Sequence, residues 1–138
     1  MKAIYKLPFL LWATIFLVSC DKDNDDQAHL PVISDLEIGH DNNRIGYVDE
    51  DLHIEAEIFA PNKIKTVEIS ISHKNNQNGW NVNKVYTEFE NLINTEFHEH
   101  LYIPSSALLG KYDFNFKVTD LRGYEYMINA DFIIRETP

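Results

Sequence analysis

The sequence predicts an all-β domain built from two packed sheets, and three observations predict it. Beyond Leu30, short runs of alternating apolar and polar residues are separated by clusters of turn-forming residues. β-Branched and aromatic residues dominate those runs. No stretch sustains a helical period; "SSALLG" has room for one short turn.

The expected strands, in order, are residues 32–38, 52–59, 64–73, 80–86, 95–103, 111–119 and 124–134. The breaks between them read "GHDNNRIG", "APNK", "KNNQNG", "PSSALLG" and "DLRG", which carry the Gly, Pro, Asn and Asp that turns require. Seven such strands in roughly a hundred residues predict an immunoglobulin-like or cadherin-like β-sandwich. Side-chain parity then assigns the interior. Leu52, Ile54, Ala56 and Ile58 share one face of their strand, as do Val67, Ile69 and Ile71, and Tyr112, Phe114, Phe116 and Val118. In the fifth strand Phe97, Leu101 and Ile103 point inward, and Glu99 shares their parity. A carboxylate there requires either a position at the rim or a bulge that shifts the register.

The first residues have a different character. Lys2 and Lys6 precede a compact apolar run, "LPFLLWATIFLV", too short for a membrane-spanning helix. It ends in "LVSC", which resembles the lipobox of bacterial lipoproteins, with Cys20, the chain's single cysteine, at the acylated position. The expected organisation is a signal peptide over residues 1–19, an acidic tether over 20–29 and the sandwich over 30–138. Acyl chains on Cys20 would hold the protein on a membrane with no spanning helix. A lone cysteine also excludes an internal disulfide.

Cleavage before Cys20 removes two lysines and no acid, taking the formal net charge from −10 to −12. That charge argues against nucleic-acid binding and against lying flat on anionic lipid. The tether "CDKDNDDQAH" resembles the acidic tract that follows the lipidated cysteine in surface-exposed lipoproteins of Bacteroidota. The location expected from it is the outer membrane, facing outward. Asp21, directly after the cysteine, matches the residue that in enterobacteria goes with inner-membrane retention, and a periplasm-facing protein is the alternative.

The histidines carry the functional expectation. In the second strand Asp51, His53, Glu55 and Glu57 oppose the core set; in the fifth, His98, His100 and Tyr102 do. The immunoglobulin-like order places the first, second and fifth strands side by side. His53, His98 and His100 then share one outer face, with cross-strand Cβ atoms about 4.5–5.5 Å apart. His40, at the end of the first strand, is the expected fourth ligand, and Glu55 a further ligand or a partner for an imidazole N–H. Such a set suits a divalent transition metal, with zinc, copper, iron and nickel all open. Two histidines spaced H-x-H are, by themselves, equally ordinary on a solvated strand. His29 and His73 receive no role.

From about Leu30 to Ile134 the chain resembles a Bacteroidota lipoprotein family, the domain of unknown function 4625. The segments that carry the likeness are "ISDLEIGHDNNRIGYVDEDLHIEAEI", "VYTEFENLINTEFHEHLYIP" and "GKYDFNFKVTDLRG". The last also resembles the sixth strand and turn of bacterial immunoglobulin-like and cadherin-like modules. The resemblance implies an immunoglobulin-like fold on a lipid anchor and no established activity.

The leading expectation is therefore a lipid-anchored metal-binding protein that hands its ion to an outer-membrane transporter or another envelope protein. The alternative is an adhesion or scaffold module that binds a protein or glycan without metal, through Trp80, Tyr86, Tyr102 and the loop "HKNNQNGWN". A calcium module using Asp35, Asp49, Asp51 and Asp120 is a weaker variant, since these residues lack a calcium-loop spacing. No enzyme is expected. The sequence has no nucleophile motif, glycine-rich phosphate loop or dinucleotide fingerprint.

Overall fold

The computed structural model describes residues 29–138. The expected signal segment, Cys20 and the acidic tract lie outside the described residues. Within them run eight strands: β1 (Val32–Ile38), β2 (Ile45–Tyr47), β3 (Asp51–Phe59), β4 (Ile64–His73), β5 (Val82–Tyr86), β6 (Asn94–Tyr102), β7 (Gly110–Asp120) and β8 (Glu125–Arg135). They form a three-stranded sheet, β1-β3-β6, and a five-stranded sheet, β2-β8-β7-β4-β5. The first sheet has the strand order on which the histidine expectation depends. Among the described residues no helix is long and apolar enough to cross a membrane.

The core is the one that parity assigns. Leu52, Ile54, Ala56 and Ile58 face Val67, Ile69 and Ile71 and the row Tyr112, Phe114, Phe116 and Val118, and all are buried. Phe97 sits at its centre, with edge-on contacts to Tyr86 (4.9 Å between ring centroids) and Phe116 (5.0 Å). The buried apolar cluster runs from Ile33 to Ile134, so the described residues supply a hydrophobic core of their own, which is what an independently folding domain requires.

The eighth strand, β2, is the main departure from the seven expected. It is three residues long, lies inside the segment read as a turn, and pairs parallel to β8 with Ile45 opposite Ile133. No alternation is visible in three residues, and Gly46 conceals the burial: a Cβ there would sit 2.5 Å from Ile103 Cδ1. Between β1 and β2 the chain crosses from one sheet to the other. Gly39, Asp41, Asn42 and Arg44 all adopt positive φ along this path. The Asn42 side chain accepts a hydrogen bond from the Ile38 N–H at 3.2 Å, and the Asn43 side chain one from the Ile45 N–H at 2.9 Å.

Glu99 resolves in favour of the rim. The β3–β6 ladder runs without a register shift. The Glu99 carboxylate reaches across the open side of the sandwich to Lys84 Nζ on β5, at 2.6 Å, and also accepts the His100 N–H at 3.0 Å. Burial pushes this carboxyl up, but the bonds from Lys84 and the His100 N–H outweigh burial and hold it below its ordinary range. The buried Tyr86 hydroxyl lies close by without a well-formed hydrogen bond, and its dipole also favours the ionised Glu99. Its own ionisation is pushed far up, chiefly by burial.

Candidate metal centre

The site is assembled by the β3–β6 ladder. Antiparallel pairing sets His53 opposite His100 and Glu55 opposite His98. The alternation of β3 buries Leu52, Ile54 and Ala56, which turns His53 and Glu55 outward. In β6, burial of Phe97 and Leu101 does the same for His98 and His100. Ligand atoms of His53, His98 and His100 lie within 4.8 Å of one another. Ring centroids are 4.9 Å apart for His53 and His98, 5.2 Å for His53 and His100, and 5.0 Å for His98 and His100.

The tightest contact is the most informative. His98 Nε2 and His100 Nε2 are 3.0 Å apart. One of two neutral rings can donate to the other at this distance; two protonated rings would repel. In a tetrahedral site with metal–nitrogen distances of about 2.0–2.1 Å, adjacent nitrogens are about 3.3 Å apart. The pair therefore already has nearly the spacing of two ligands, and a ligand atom of His53 lies within 4.8 Å of both. His53 is the most enclosed of the set, with 21% of its side chain exposed, and its Nε2 lies 3.5 Å from Glu55 Oε2. That carboxylate is placed to orient the imidazole or to become a fourth ligand. Glu55, Glu96 and His98 form a second group of the same compactness, sharing His98 with the first.

The surroundings favour a cation. None of β1, β3 and β6 contains Lys or Arg. The ladders bring Glu37 opposite Glu55, and Glu57 opposite Glu96. The histidines thus sit on a face whose fixed charges are all negative, which raises the local concentration of a divalent ion.

His40 is not brought to this cluster, which corrects the expectation of a fourth imidazole. Gly39, at φ 78°, turns the chain into a single 3-10 turn, His40–Asn42. There the His40 side chain is 89% exposed and faces Asp41 at 3.4 Å. His73 is engaged elsewhere, edge-on to Tyr112, and its Nδ1 accepts the Asn75 N–H at 3.1 Å.

The aromatic cues for a metal-free adhesion surface are largely consumed by the core. Tyr86 is buried and Trp80 packs against the core beside Tyr112, leaving Tyr102 exposed with its hydroxyl donating to Asp49. The aspartates of the calcium variant are also dispersed. Asp120 is buried, with one oxygen accepting the Arg122 and Tyr124 N–H groups and the other the Asn62 amide. These contacts close the "DLRG" turn.

Fold and site together define a β-sandwich domain with a three-histidine candidate metal centre on one outer face. A family model, "Domain of unknown function (DUF4625)", matches residues 18–135, and the chain belongs to that family. No curated protein matches it.

Proposed function

We propose that the domain binds one transition-metal ion through His53, His98 and His100, as part of a lipid-anchored protein of the cell envelope. The observation that supports this reading is the approach of three imidazoles, ligand atoms within 4.8 Å, on a sheet face without a basic residue. Glu55 is the fourth ligand or the partner that orients His53. Zinc, copper and iron all accept imidazole ligands, and a three-histidine site leaves at least one position open.

The apolar run ending at Cys20 supports an acyl anchor, and the acidic tract after it supports an outward-facing position on the outer membrane. An ion held on an open sheet face is accessible to water and to an incoming ligand. That suits capture and transfer to an outer-membrane transporter or another envelope protein better than it suits catalysis. Residues 27–138, purified and dialysed, are expected to retain about one equivalent of zinc or copper. The double variant His98→Ala/His100→Ala is expected to retain none; uptake equal to the parent's overturns the reading.

A further inference from the structure

We propose a second binding site on the opposite sheet: a hollow for a small dianion, of the phosphate monoester or dicarboxylate class. It is a surface depression of about 360 Å³ lined by Arg44, Lys111, Arg135, Asp131, Ile45 and Ile133 among its residues. The five-stranded sheet builds it. Ile45 on β2 and Lys111 on β7 both pair with Ile133 on β8, so the three stand in one row across the sheet. Arg44 immediately precedes Ile45, and Arg135 lies one outward position beyond Ile133. The two half-buried isoleucines form an apolar floor and the three cations form the rim.

The grouping of three cations at one hollow is the feature that matters. In a chain of net charge −10, basic side chains have abundant acidic neighbours to pair with. Lys74, Lys84 and Lys117 do pair, while Lys63, Lys65 and Arg122 stand outside the hollow without an ion pair among the described residues. Arg44, Lys111 and Arg135 make no ion pair or side-chain hydrogen bond among the described residues, yet they line the same hollow. Asp131, the one acid of the lining, is engaged by Lys74 at 3.6 Å, and Lys74 also holds Asp113 at 3.3 Å. Three cations around one hollow outnumber its single acid, which Lys74 already holds, and an anion between them relieves their repulsion.

Arg44 is also held in place. Its backbone sits at φ 57°, a region that residues other than glycine enter rarely. Its N–H donates to the Ile38 carbonyl at 2.8 Å, and its carbonyl accepts the Ile133 N–H at 3.0 Å. The left-handed conformation is thereby fixed from both sides. A guanidinium matches phosphate and carboxylate oxygens two at a time, and an ammonium adds a point charge. The isoleucine floor suits the carbon skeleton that such a group is carried on. This site shares no residue with the histidine cluster and does not depend on metal binding.

The test is a titration of isotope-labelled residues 27–138 at low salt, followed through backbone amide signals. The probes are inorganic phosphate, glucose 6-phosphate and succinate. The expected result is saturable movement centred on Arg44, Ile45, Lys111 and Ile133. Lys111→Gln and Arg44→Gln each weaken binding about tenfold, the effect of one charge-assisted contact. Lys65→Gln removes an exposed charge from β4, outside the hollow, and leaves affinity within about twofold. Lys111 is an exposed strand residue, so its replacement keeps the fold, and unchanged amide signals elsewhere verify this. Tighter binding of glucose 6-phosphate assigns the ligand to the phosphate monoesters; tighter binding of succinate assigns it to the dicarboxylates. Movement that fails to saturate, or a loss in Lys65→Gln equal to that in Lys111→Gln, overturns the proposal.

Discussion

Metal binding at this site should tie two strands together, and the consequence is measurable in the stability of the whole domain. His53 belongs to the central strand of the three-stranded sheet, and His98 and His100 to its edge strand. In the folded chain their ligand atoms converge within 4.8 Å, whereas in the unfolded chain His53 is remote from the other two. The folded state therefore binds the ion more tightly, and ligand at about 100 times its dissociation constant adds about 2.7 kcal/mol. At roughly 4 °C per kcal/mol for a domain of this size, Tm should rise by roughly 10 °C. The assay is thermal unfolding of residues 27–138 by circular dichroism, with zinc and with a chelator. His53→Ala leaves only the H-x-H pair, which survives in the unfolded chain, so the rise should shrink to a few degrees. His40→Ala should leave it intact, because that ring points at Asp41 and solvent. A full rise in His53→Ala would refute the cross-strand reasoning.

Three further outcomes are expected. Because Glu99 titrates below its ordinary carboxylate range when folded, its contact with Lys84 stabilises fully above that range and is lost as pH falls through the depressed value. Glu99→Gln should then cost about 1 kcal/mol in urea unfolding at pH 7 and progressively less as pH falls through the depressed value; a cost that does not change as the pH is lowered would contradict the assignment. Phe97→Ala should destabilise by about 3–5 kcal/mol in the same assay, since the ring is fully buried between Tyr86, Phe89 and Phe116. Cys20→Ser in the full chain should abolish acylation, read as loss of the lipid mass from the N-terminal peptide, and should move the protein out of the membrane fraction.

Most of the sandwich was legible because alternation is a local signal. The inward set of β3, β4 and β7 follows from period-two burial alone, and His53, His98 and His100 follow as its complement. Convergence of those rings required only the strand order β1-β3-β6, which the count and spacing of strands supplied. Features that depend on single turns or on distant partners were not legible. His40 was lost to one positive-φ glycine that redirects the chain just after β1. The three-residue β2 exists through its pairing with β8 and the fit of Gly46 against Ile103. Glu99 appears misplaced in its own strand until Lys84 arrives from the other sheet. The Arg44–Lys111–Arg135 hollow likewise needs β2, β8 and β7 side by side, an arrangement that spans most of the domain.

The central claim is that three imidazoles from two adjacent strands bind one ion. X-ray absorption at the zinc edge, on residues 27–138 loaded with one equivalent, addresses it directly. The expected spectrum contains imidazole scattering from about three nitrogens at about 2.0–2.1 Å, reduced to two in His53→Ala. A spectrum of oxygen ligands without imidazole scattering, or one that His53→Ala does not change, would contradict it.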